Sequence, residues 1–123
     1  MKKLLILPFF ILFWGLNSQA STISNADSTN YRMVVSFFSR ASGIDAQARK
    51  QVDAYIYQFE QAKGITVDKE ETRWGREGEI DYCIRLEKVT TKDQKKFVKK
   101  IKGIATKSGR VNVLENSPCL HRH

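Results

Sequence analysis

From Glu79 to Glu87 the chain alternates without a break. Ile80, Tyr82, Ile84 and Leu86 fall on one side, and Asp81, Cys83 and Arg85 on the other. Successive side chains of a strand point to opposite faces, so this segment predicts a strand with one apolar face on a core. Such a strand needs a layer to cover it. Two segments can supply that layer. After Asp45, a natural helix cap, Ala48, Val52, Tyr55, Ile56 and Phe59 recur at spacings of three and four, and Gly64 provides a stop. Thr91-Lys-Asp-Gln94 has the form of a capping box, after which Phe97, Val98, Ile101, Ile104 and Ala105 make a second stripe ending at Gly109.

Three more strands complete the pattern. Tyr31–Ser39 is rich in β-branched and aromatic residues, as a central strand requires. Ile65–Trp74 begins with alternation and becomes strongly charged, which marks an edge strand protected against pairing with another sheet. Gly75-Arg-Glu-Gly78 then turns the chain, and Arg110–Leu114 is a short last strand. The order βαββαβ, with right-handed crossovers, predicts an α+β, ferredoxin-like sandwich: an antiparallel sheet in the order 4-1-3-2 with two helices on one face. That topology carries many unrelated activities, so function has to be sought in side chains.

The first twenty residues predict an address. Met1-Lys2-Lys3 is a basic start, Leu4–Leu16 an apolar run, and Ser18 and Ala20 are the small residues of a cleavage site. This is the pattern of a secretory signal peptide. No cysteine follows the run, which argues against a lipoprotein signal. The organisation expected is a signal peptide over residues 1–20, a flexible leader over 21–30, one domain over 31–119 and a tail over 120–123. The expected location is periplasmic or secreted, with no transmembrane segment after signal removal.

In an oxidising compartment a lone pair of cysteines defaults to one disulfide, so Cys83 and Cys119 are expected to be joined. The strand order creates a difficulty: the third and fourth strands are separated by the first, so their axes lie roughly 10 Å apart. A disulfide needs Cα atoms within about 7 Å. The expectation is that Asn116-Ser117-Pro118 turns back across the polar face of the sheet, where Cys83 points.

The full chain carries 21 Lys and Arg against 13 Asp and Glu, a net charge of +8. Between Lys92 and Lys107 lie seven lysines and a single acid, Asp93. Lys95, Lys99 and Lys102 are the candidates for a basic surface on the second helix, suited to anionic partners and screened by salt. Trp74, Arg76 and Glu77 at the glycine-flanked turn, and Arg40 and Ser42 in the loop after the first strand, are the candidate binding residues. A helix start can hold an anion near Arg40 and Ser42, although Asp45 competes for the same N–H groups.

Catalytic signatures are sparse, and no catalytic residue is assigned. The two histidines, His121 and His123, lie in the tail, which argues against Ser-His or Cys-His chemistry within the domain. Glu70, Glu71, Glu77, Glu79 and Asp81 read as a solvated acidic edge without calcium-loop spacing. Cys119-Leu-His121-Arg-His123 is too tightly spaced for the usual zinc patterns, so no metal and no cofactor are expected. The Lys/Arg-Gly-Phe pattern of RNA-binding relatives is absent, so specific nucleic-acid binding is not expected. The leading expectation is an exported basic binding module for an anionic envelope surface, a polysaccharide or a protein, using the open sheet face and the Trp74 hairpin. The alternatives are a small hydrolase or transferase acting on an anionic substrate at the Arg40 loop, and a secreted protease-inhibitor-like module.

Overall fold

Two strands rich in buried residues, β1 (Asn30–Phe37) and β3 (Ile80–Arg85), lie side by side at the centre of a four-stranded antiparallel sheet. β2 (Asp68–Arg73) forms the edge beyond β3, and β4 (Val111–Pro118) the edge beyond β1, so the order is β2-β3-β1-β4. The helices are α1 (Ala46–Lys63), between β1 and β2, and α2 (Thr91–Ser108), between β3 and β4. The structure, a computed structural model, describes residues 30–121. The expected signal peptide and nearly all of the leader lie outside the described residues, as do Arg122 and His123. Among the described residues no helix is long and apolar enough to cross a membrane.

The alternation of β3 has the consequence its pattern implies. Ile80, Tyr82 and Ile84 join Met33, Val35 and Phe37 of β1 in one buried cluster with the stripes of both helices. Its centre is aromatic: Phe97 meets Phe59 edge-on at 4.9 Å, with Tyr55 5.5 Å away. The Tyr82 ring is buried in the same cluster, edge-on to Phe37 at 5.0 Å. Its hydroxyl donates to Asp53 Oδ1 at 2.6 Å and accepts from Arg49 Nε at 2.8 Å, which satisfies the polar end of a buried ring. Burial pushes the Tyr82 phenol well above its ordinary range, and the Asp53 hydrogen bond adds to the shift.

Three boundaries differ from those the sequence implies. β2 begins at Asp68, not Ile65, because the Ile65 and Val67 N–H groups are taken by the Glu60 carbonyl and carboxylate at the end of α1. β4 does not stop at Leu114: its pairing with β1 continues to Asn30 opposite Pro118. The cap of α2 is Thr90, whose Oγ accepts from Asp93 N at 3.2 Å, and not Thr91. Gln94, expected to close the capping box, instead donates to the Leu86 and Val89 carbonyls and accepts from Arg32 Nε.

Asp45 does cap α1, accepting from Ala48 N at 2.9 Å. Its second oxygen accepts from Ser108 Oγ at 2.7 Å, which ties the start of α1 to the end of α2. The Ala48 N–H, then the Ser108 hydroxyl, hold the Asp45 carboxyl below its ordinary value. A carboxyl with a depressed folded-state pKa stabilises the fold above its unfolded value of about 3.9, and that contribution is lost as pH falls through the folded value. Asp45→Ala is therefore expected to cost about 1–2 kcal/mol at neutral pH in urea unfolding. Asp45→Asn keeps a capping oxygen, so its expected effect is smaller, with a flatter fall in stability below about pH 4.

Candidate functional site

The middle of the sheet's polar face is covered by the chain's own C-terminal segment. Beyond Pro118 the chain leaves β4 and crosses β1 so that Cys119 reaches Cys83, forming a disulfide with Cα atoms 5.7 Å apart. Cys83, Val34 and Tyr31 are buried beneath it as a second, small apolar cluster. Two residues further on, His121 Nδ1 lies 2.7 Å from Asp81 Oδ2. Trp74, at the end of the edge hairpin, stacks on the His121 ring at 3.8 Å with planes 12° apart. Its Nε1 donates to Asp81 Oδ1 at 2.9 Å, and Ser36 Oγ from the neighbouring strand donates to the same oxygen at 2.6 Å. Asp81 is fully buried, and three side chains from three separate parts of the chain converge on its carboxylate. That is the arrangement a buried carboxylate requires.

This cluster corrects several sequence expectations. Asp81 does not belong to a solvated acidic edge, because it points into the tail contact. A histidine does enter the domain, because the disulfide carries the tail onto the sheet. Asn116-Ser117-Pro118 does not make the crossing: these residues extend β4, and the turn comes after Pro118. The sheet face is not bare either, since Val34, Ser36, Asp81 and Cys83 are all buried. Among the described residues, no group of three or more His, Cys, Asp or Glu side chains could hold a metal.

The two candidate binding segments adjoin one another. Ser39 Oγ donates to Glu77 Oε2 at 2.7 Å and accepts from Gly43 N at 3.0 Å, joining the loop of Arg40 and Ser42 to the hairpin of Trp74, Arg76 and Glu77. Arg40 and Ser42 are nevertheless exposed, with the Arg40 guanidinium 5.8 Å from the Phe38 ring. Asp45 occupies the Ala48 N–H that an anion would use. Arg76 is exposed, and Trp74 is spent on His121 and Asp81.

The larger cavities open elsewhere. One, of about 560 Å3, lies at the end of the sheet beside Tyr31, Arg32 and Arg85. Its cations are already engaged: Arg32 binds Gln94 and Glu115, and the Arg85 guanidinium lies 4.0 Å from the Tyr31 ring centre. The other, of about 570 Å3, is a groove between the helices. Lys96, Lys99, Lys100 and Lys107 line it from α2, and Gln51 and Tyr55 from α1. Burial against its aromatic neighbours pushes the Tyr55 phenol up, so it faces the groove as a neutral hydroxyl.

The lysines named from sequence divide between two surfaces. Lys99 lines the groove, and Lys95 is exposed but not part of it. Lys102 is paired with Glu115, which also accepts from Arg32 at 3.0 Å. Lys102 and then Arg32 hold the Glu115 carboxyl below its ordinary value. Lys96, Lys100 and Lys107 belong to the same lysine run, and spacings of four and seven place them on one helical stripe.

The chain matches no protein-family model, and no curated protein matches it.

Proposed function

We propose that this chain is a small exported basic module that binds anionic partners through its helix layer. The observation that carries this reading is the groove between α1 and α2. Its four lysines make no ion pair with any described residue, whereas Lys63, Lys69 and Lys102 are each matched to a carboxylate. Closely spaced unpaired cations repel one another, and an anionic partner relieves that repulsion. The covering of the middle of the sheet's polar face by Cys119, His121 and Trp74 points the same way, because it takes Val34, Asp81 and Cys83 out of reach of a partner. The βαββαβ order, with both helices in one cluster on one side of the sheet, supports a ferredoxin-like reading of the architecture. The disulfide and the basic-apolar-small pattern of residues 1–20 support export.

The test is retention of the oxidised protein on immobilised heparin. Exposed charges act over a Debye length of about 10 Å at 0.1 M salt, so binding is expected at low salt and largely lost by about 0.5 M. Replacing Lys96, Lys100 and Lys107 with Glu is expected to abolish it without unfolding the domain, since all three side chains are exposed. Retention that ignores both salt and the triple replacement would sink the reading.

A further inference from the structure

The groove has a shape as well as a charge. Gly103 lies on the same stripe of α2 as its lysines, in the interior of an 18-residue helix where glycine is unfavourable. Packing does not require it. A Cβ built there would meet no other atom within 4 Å, and the backbone is not in the left-handed region. What the missing side chain does is leave an open spot in the lining of the groove that Tyr55 also lines. Lysines 96, 100 and 107 flank that gap in a row. At 1.5 Å of rise per residue they spread over about 16 Å along the helix axis.

Resting on the reading of the helix layer as the binding surface, we propose that this groove takes a linear acidic polysaccharide. The lysines would meet successive carboxylates or sulfates along the chain, and the gap at Gly103 would admit a sugar ring beside Tyr55. Three observations favour this class of ligand. The cations form a row along one shallow, open strip between the helices, which suits a thin chain better than the broad face of a bilayer. The row is accompanied by Gln51 and the Tyr55 hydroxyl, uncharged groups that hydrogen-bond to sugar hydroxyls. Among the described residues a single aromatic side chain lines the groove, and Lys100 already approaches its ring at 5.9 Å, whereas single-stranded nucleic acid is held by successive stacking platforms.

The experiment titrates the oxidised protein with a short oligogalacturonate, and in parallel with single-stranded DNA of similar charge and with vesicles containing phosphatidylglycerol. The key variant is Gly103→Leu, which fills the gap, leaves the charge unchanged and favours the helix. Gly103→Leu is expected to weaken oligogalacturonate binding at least tenfold and to lower the salt that elutes the protein from heparin, while retention on a sulfopropyl cation exchanger stays as in the parent. Lys95→Gln, outside the groove, is expected to change oligogalacturonate affinity less than twofold, and Lys100→Gln more than fivefold. Oligogalacturonate affinity unchanged in Gly103→Leu, with cation-exchanger retention intact, would overturn the groove and leave the general basic surface standing. Binding that is tighter to DNA or to vesicles, and equally sensitive to Gly103→Leu, would overturn the class of ligand. A parent protein that fails to bind heparin at low salt would overturn the underlying reading itself.

Discussion

Replacing Cys83 and Cys119 together with alanine is expected to lower the stability of the folded protein by about 3–4 kcal/mol, the chain-entropy value for closing a loop of this length. The bond spans a sequence separation of 36 residues. For a domain of about 100 residues, the corresponding fall in melting temperature is on the order of 15 °C or more. Alanine is the suitable replacement at position 83, because Cys83 lies against Val34 and Tyr31 and a serine hydroxyl would be stranded there. Thermal unfolding of the parent and the double variant measures the effect. A difference below about 1 kcal/mol would show that contacts other than the bond hold the tail.

The second large effect is expected at Asp81. Asp81→Ala removes the acceptor shared by Ser36, Trp74 and His121 and leaves a cavity beneath the tail. Breaking a buried charged hydrogen-bond set by deleting one member typically costs about 3–5 kcal/mol. Asp81→Asn keeps the shape and one carbonyl oxygen, so a smaller cost of about 1–2 kcal/mol is expected. His121→Ala leaves the carboxylate its two other donors and is expected to fall between the two, within about 2–3 kcal/mol. Urea unfolding of the three variants with the disulfide intact gives the comparison. Because the disulfide and the Asp81 cluster hold the same segment, their losses should not add: Asp81→Ala is expected to cost less in the cysteine-free background. Equal costs in both backgrounds would contradict the tail's role in closing the site.

What could be read from the sequence was whatever rests on local periodicity or local caps. The stripes of α1 and α2, the Asp45 cap and the one-sided strand at Ile80–Arg85 each announce themselves within a dozen residues. The cysteine pairing followed from there being only two. The tail was opaque, because Glu115–His123 has no apolar period and its place is set by a bond to a residue far away in sequence. Yet the pairing carries a second message. With Cys119 opposite Cys83, a segment running antiparallel to β3 must place His121 opposite Asp81, two residues along each chain. The long pairing of β4 was hidden for a similar reason, since Glu115-Asn-Ser-Pro118 has poor strand propensity and is held by β1. For the lysines, the helical stripe could be read from spacing, but which stripe faces α1 depends on how the helices meet.

The disulfide also changes what a single backbone cut can do. α2 and the whole of β4 lie between Cys83 and Cys119, so the whole basic stripe is carried on a covalently closed loop. A protease that nicks the chain anywhere between those two residues leaves both pieces joined, and β4 still has its full ladder on β1 to hold it in register. A cut before Cys83, in the turn at Gly75–Gly78, severs no such loop and frees the edge strand from its covalent tie to β3. If the chain is exported as proposed, a single cut thus leaves the basic surface attached, whereas a cut in the Trp74 hairpin does not have that safeguard.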